Sequence, residues 1–276
     1  MMKLGAPAEP LCCLQLTDFE PCRPDSLKLL SFNIQVGIET GSYHHYLTKS
    51  WQHFLPANKR KLALMRMAQT MSYFDLVAIQ EADGGSFRSG FINQIEFLAR
   101  KAGFPFWFQQ LNRDFGPVAQ HSNGVLCRYR PNKVKRHKLP GILPGRGAIF
   151  LYFGEGPDSL LVVVMHLALS KGAQNRQLKH ICELIGDHKR VVLMGDMNTH
   201  AERLLNVSPL KNLSLQPVAQ GLQTFPSWRP LRGLDHILVS DCVKVKQVGV
   251  LDIPVSDHLP IAMEIEFPQA SSSACS

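Results

Sequence analysis

Val191-Val192-Leu193-Met194-Gly195-Asp196-Met197-Asn198 reads as a strand that stops abruptly. Four consecutive apolar residues suit a strand covered on both faces. Gly195 permits a tight exit, and Asp196 and Asn198 follow it, placed to project together toward one pocket. A strand end fixes a side chain while the adjoining loop leaves it open, which is why α/β proteins build sites there. The plain alternative is a capped turn leading into a helix over Ala201–Leu205.

The same arrangement recurs outward along the chain. Leu27–Phe32 reads as a buried strand ending at Asn33, and Leu76–Ile79 as one ending at Gln80-Glu81. Leu160–Met165 ends at His166, Leu234–Val239 reads as another strand, and Asp235-His236 is counted with the polar residues just past strand ends. Further strands are read at Gly124–Arg128, Ala148–Phe153, Val243–Leu251 and Ile261–Phe267. Helices are read at Lys59–Met71, at Phe91–Ala102 and around Leu178–Ile185. Short strands with interspersed helices indicate a mixed α/β domain with covered sheets.

Of 276 residues, 45% are apolar and 19% charged, which excludes a largely disordered chain. Residues 1–25 read as a leader, 26–268 as the domain and 269–276 as a disordered polar tail. The leader lacks the long apolar run of a signal peptide, and no stretch approaches the roughly 18 apolar residues of a membrane span. A soluble, cytoplasmic monomer without stable membrane insertion is expected. Seven cysteines without a C-x-x-C pair indicate reduced thiols rather than a disulfide framework or structural zinc. The net charge of +8 suits an anionic partner without choosing one.

Several of these residues have metal or proton chemistry. Mg²⁺ prefers hard oxygen ligands. Glu81 and Asp257 are candidate carboxylates, and Asn33 is a candidate amide oxygen. Taken singly, a glutamate after a strand is usually a solvated charge, and an asparagine there a turn former. Asp196 suits orienting or deprotonating a water, and Asn198 suits holding a phosphate oxygen. Neighbours on a strand face opposite ways, so neither Asp235-His236 nor Asp257-His258 suits an internal dyad. Asp235 with His258 is the sensible cross-pair, which leaves His236 a structural role. His166 alone reads as a core histidine; its value comes from company.

Assembled, these blocks resemble the endonuclease/exonuclease/phosphatase superfamily, and more narrowly its small bacterial members. Ser31-Phe32-Asn33-Ile34, Ile79-Gln80-Glu81 and Met165-His166-Leu167 match in order. Gly195-Asp196-Met197-Asn198 with Leu234-Asp235-His236-Ile237, then Ser256-Asp257-His258-Leu259-Pro260, complete the set. Each block is a common short string, whereas the ordered set over residues 31–260 is specific. The resemblance implies a four-layer sandwich of two packed mixed β-sheets flanked by helices. It implies a metal-dependent phosphoester hydrolase using Mg²⁺, with Mn²⁺ as the alternative ion. Asn33 and Glu81 would lie at the metal, with Asp257 nearby or at a second position. Asp196 would activate the attacking water, and Asn198 would bind the scissile phosphate. His258, paired with Asp235, would contact the phosphate, and His166 would help protonate the leaving group or stabilise its charge.

The substrate is less legible. Aromatics mixed with cations in 41–54 favour nucleic acid, and hence a nuclease-type phosphodiesterase. The alternative is a phosphatase or a phospholipase C-type, sphingomyelinase-like enzyme acting on lipid or inositol phosphates. A non-catalytic binding protein on the same scaffold is the third reading. Arg88, in the Gly84–Gly90 loop, reads as a phosphate contact or as part of a helix entry turn. Asn123 reads as a cleft residue or a turn former, and Arg176 as a cleft cation or a helix surface charge. Lys133–Lys138 reads as a solvated hairpin edge.

Overall fold

The computed structural model describes residues 13–19, 26–37, 57–141, 145–156, 159–216 and 221–266. The aromatic and cationic segment 41–54 and the tail 269–276 lie outside them.

Strands β1 (Cys13–Leu14), β2 (Ser26–Asn33), β3 (Leu76–Asp83), β4 (Phe106–Asp114) and β5 (Gln120–Cys127) belong to one sheet. A second sheet holds β6 (Lys133–Lys138), β7 (Gly147–Phe153), β8 (Leu160–His166), β9 (Arg190–Asp196), β10 (Leu215–Gln216) and β11 (Asp235–Ser240). β12 (Val245–Leu251) and β13 (Ile261–Glu266) return to the first sheet. The orders are β1-β12-β13-β2-β3-β5-β4 and β10-β11-β9-β8-β7-β6, both mixed. Helices α1 (Ala57–Met71) and α2 (Gln94–Ala102) cover the outside of the first sheet. Helices α3 (Lys171–Ile185) and α4 (Ala201–Asn206) cover the outside of the second.

Three apolar layers follow from strand alternation. In β8, Val162 and Val164 point between the sheets, while Leu161, Val163 and Met165 point to the helices. β9 does the same, with Val192 and Met194 inside and Val191 and Leu193 outside. A strand apolar on both faces is the reading made of Val191–Met194, and each fully buried aliphatic side chain contributes roughly 1.5–3 kcal/mol. Inter-sheet and two outer clusters together make the four-layer sandwich.

Some elements differ from the sequence reading. The helix read from Phe91 starts at Gln94, because Phe91 sits in the left-handed region (φ 61) and Asn93 caps the helix. Asn93 Oδ1 accepts from the N–H groups of Ile95 and Glu96 at 3.1 and 3.2 Å. β4 was not anticipated; its half-polar sequence Phe106-Trp107-Phe108-Gln109-Gln110 is that of an edge strand. Lys133–Lys138 is the far edge strand of the second sheet. Asp235-His236 does not follow a strand: it opens β11, which runs antiparallel to β9 and so starts at the end where β9 stops.

Candidate active site

Register brings the polar strand ends together. His166 of β8 pairs with Asp196 of β9, and Asp196 pairs with Asp235 of β11, so three adjacent strands carry them in one row. Each lies two residues from an inter-sheet residue, respectively Val164, Met194 and Ile237. All three therefore face the gap between the sheets. Asn33 lies at the same parity on β2, whose Leu27 and Leu29 are in that layer. Gly195 makes the row possible. Its φ is +143, and a Cβ there would lie 1.9 Å from the Met165 carbonyl oxygen.

Glu81 reaches this gap by an irregularity. Between the Ile79–Gly124 and Ala82–Ser122 pairs, β3 carries one residue more than β5. Val77, Ile79 and Ala82 belong to the outer layer, so the extra residue turns Glu81 away from it. Glu81 accordingly has φ +57, a strained value for a residue with a Cβ. Its side chain is about one-third exposed.

Asp196 is the junction of the site. Its Oδ2 accepts from Asn33 Nδ2 at 3.1 Å and lies 3.4 Å from His166 Nε2. Its Oδ1 accepts from the Asn198 backbone N–H at 2.9 Å, and Asn198 (φ 53) donates its amide to the Leu167 carbonyl at 3.0 Å. Glu81 Oε1 stands 3.8 Å from His166 Nε2. On the other side, His258 Nδ1 donates to Asp235 Oδ2 at 2.7 Å, and Thr224 Oγ1 donates to the same oxygen at 2.6 Å. Phe225 packs against the His258 ring at 4.8 Å between centroids. Ser256 Oγ donates to the Asn33 carbonyl at 2.8 Å, joining the last motif to the first.

Burial and crowding set the charges. Burial, then Asp235, push the Asp196 carboxyl up to about 7, against the pull of His258. Asp257 rises to about 6, chiefly by burial, with Glu81 adding to it. For His258 burial acts downward, but Asp235, Asp196 and Asp257 outweigh it and raise it to about 10. His258 is therefore an imidazolium at neutral pH. Burial, then Arg146, His258 and His121, hold His166 well below the ordinary histidine value, so it is neutral.

The family model described as Endonuclease/Exonuclease/phosphatase family matches residues 30–258. This chain belongs to that family. Its members hydrolyse phosphoesters, and it is an enzyme of that kind. The fold is that of an endonuclease/exonuclease/phosphatase family protein of Bacteroides thetaiotaomicron, 19% identical, with a TM-score of 0.64 over 89% of this chain and 99% of that one. A mannosyl-6-phosphatase of the same organism is also 19% identical, with a TM-score of 0.62 over 87% of this chain and 100% of the other. A sphingomyelinase C of Streptomyces griseocarneus is 15% identical, with a TM-score of 0.56 over 87% and 99%. No curated protein matches the sequence significantly. Among the described residues no helix is long and apolar enough to cross a membrane.

Enzymes of the endonuclease/exonuclease/phosphatase family are generally divalent-metal dependent, and the donor set fits such an ion. Glu81, His166 and Asp196 each offer a ligand atom, all within 4.8 Å of one another. The Asp196 carboxyl, raised by burial and by neighbouring negative charge, is what a cation would stabilise. Asp196, Asp235 and His258 form a second such group, but there the histidine is already the cation. Asp257, expected near the metal or at a second position, lies outside both groups and accepts from Ser256 Oγ at 3.3 Å. Asn33 turns its amide nitrogen to Asp196, while its Oδ1 accepts from the Gln35 N–H at 3.1 Å.

A cleft of about 150 Å³ opens beside Glu81 and His166, lined also by Arg113, His121, Asn123 and Arg146. Arg146 was missed in the sequence. It stands between two glycines, with no periodic pattern to mark it. Its pKa is lowered by burial and held up by Glu81 and Asp196, so its guanidinium belongs to this site. Asn123 lines the cleft and also bridges the sheets, donating to the Gly147 carbonyl at 3.1 Å. Arg88 does not reach the catalytic row: its guanidinium faces Asp83 at 3.2 Å, a carboxylate the sequence reading overlooked. Arg176 lies exposed on α3, outside the cleft lining, because Gln174, Gln177 and Leu178 take the buried face of that helix.

Proposed function

We propose that this enzyme hydrolyses phosphate esters by in-line attack of a water that Asp196 orients and deprotonates, with Mg²⁺ as the ion. The supporting observation is the position of Asp196, which touches Asn33, His166 and Asn198 and neighbours the Asp235–His258 pair. A carboxylate held by these contacts can orient a water and accept its proton. His258, charged and fixed by Asp235, donates a hydrogen bond to a non-bridging phosphate oxygen. Asn198 commits one amide N–H to Leu167 and keeps the other for the phosphate. Arg146 brings positive charge to the same cleft. Neutral His166 donates to the leaving oxygen and shields it from Glu81 and Asp196. Glu81 and Asp196 would hold the divalent ion, which would neutralise charge on the phosphate.

Nucleic acid is the favoured substrate, on the net charge of +8 and the cationic cleft. A second reading, a sugar or inositol phosphate, is favoured by the cleft's small volume. Plasmid DNA, RNA, inositol phosphates, sugar phosphates and sphingomyelin, each assayed with Mg²⁺ and with EDTA, decide between them. Cleavage of DNA or RNA that EDTA abolishes is the expected result. Turnover confined to the small phosphates establishes the second reading, and turnover undiminished by EDTA overturns the metal assignment.

A further inference from the structure

Behind the cleft, Asp83 collects five donors. Its Oδ1 accepts from the N–H groups of Gly85 and Ser86 at 2.9 and 2.7 Å and from Ser89 Oγ at 2.9 Å. Its Oδ2 accepts from Ser86 Oγ at 2.7 Å and from Arg88 Nε at 3.2 Å. The Asp83 backbone N–H is itself held by Gln94 Oε1 at 2.8 Å. Arg88 is thus fixed, and its Nη1 lies 3.3 Å from His121 Nε2. A guanidinium only donates, so His121 Nε2 must be the acceptor and its proton must sit on Nδ1. That N–H has no protein partner among the described residues, although His121 lines the cleft with Glu81 and His166. Burial, then Arg88, lower the His121 pKa, which agrees with a neutral ring.

We propose that His121 is a substrate-binding residue, presented as the neutral Nδ1–H tautomer by the Asp83–Arg88 pair, and that it donates to a phosphate oxygen in the cleft. The inference rests on the phosphoesterase reading above. Arg88 and Asp83 are positioning residues in it, which gives Arg88 an indirect part in substrate binding instead of a direct contact.

Asn places its amide nitrogen near the Nδ1 position, whereas Gln places its own near Nε2. With bis-p-nitrophenyl phosphate and Mg²⁺, His121→Gln is expected to raise KM about 5- to 10-fold, the worth of one hydrogen bond, with kcat little changed. His121→Asn is expected to stay close to wild type, and Arg88→Met to raise KM like His121→Gln. Equal loss or equal retention in the Asn and Gln variants overturns the proposal, as does a fall in kcat at constant KM. Imidazole ¹⁵N shifts of the wild-type protein provide a readout independent of turnover. They are expected to show Nδ1–H in the free protein and a perturbation on titrating inorganic phosphate. An Nε2–H tautomer or an unperturbed signal overturns the proposal. Absent turnover with a perturbed signal would count against the phosphodiesterase reading alone.

Discussion

The two walls of the site are built differently. On the second sheet, His166, Asp196 and Asp235 stand in register on three neighbouring strands, nearly fully buried. On the first sheet, Glu81 stands on a bulge in a left-handed conformation and is one-third exposed. The first wall is rigid because ladder hydrogen bonds fix each side chain; the second is open on the solvent side. A divided site of this kind separates proton chemistry, which needs fixed distances, from ion and substrate capture, which needs access.

Substitutions on the two walls should separate accordingly. Asp196→Ala and His258→Ala are each expected to lower kcat by about 10³- to 10⁴-fold with circular dichroism unchanged. Glu81→Gln is expected to act mainly through the ion, and raising Mg²⁺ should recover much of its activity. Recovery of Asp196→Ala by Mg²⁺ to the same extent would erase the distinction between the walls.

Rigidity of the first wall is tested by Gly195→Ala. The added Cβ meets a backbone oxygen that cannot move without breaking the β8–β9 ladder, and φ +143 is unsuited to alanine. A loss of about 3–4 kcal/mol in urea unfolding is expected, among the larger single-residue effects. A loss under about 1 kcal/mol would mean that this wall yields.

Charge gives the next test. The folded value of His258, about 10, exceeds its ordinary 6.5. Its contribution to stability is therefore complete below about 6.5 and is lost as pH rises through about 10. Asp196 is raised from 3.8 to about 7, so ionising it in the folded protein costs stability over that lower window. Both slopes run the same way. In EDTA, Tm should fall from acid to alkaline pH, and Asp235→Asn should flatten the upper part. Saturating Mg²⁺ should flatten the lower part if Asp196 lies beside the ion. A Tm that rises between pH 7 and 10 would contradict the charge state assigned to His258.

How much of this was legible in the sequence follows the same division. The rigid wall could be read because alternation is a property of the chain itself. Apolar runs end at His166 and Asp196 in phase with the inter-sheet face, as one does at Asn33 on the other sheet, and the proximity of Asp235 to His258 follows from excluding adjacent-residue dyads. On the open wall Glu81 could be named, but not the backbone that presents it. A bulge leaves no mark in Ile79-Gln80-Glu81, since a positive φ at a glutamate is imposed by pairing with β5. Arg146 and Arg88 lie outside the strands, and Asp83 and His121 meet only through the pairing of β3 with β5. That Asp83, five residues before Arg88, would claim its guanidinium was visible only as a spacing.

The smallest expected effect concerns Arg176, a sequence candidate that lies outside the cleft lining. An exposed arginine on α3 feels the substrate only through screened long-range attraction, because charges in water separated by more than about 8–10 Å interact weakly at physiological salt. Arg176→Ala should change kcat/KM by less than about 2-fold at 0.15 M salt, and any effect should grow as salt is lowered. Arg146→Ala serves as the contrast, since a partly buried cation in the cleft should matter at any salt concentration. A large, salt-independent loss in Arg176→Ala would place the substrate over α3 and extend the site beyond the two walls.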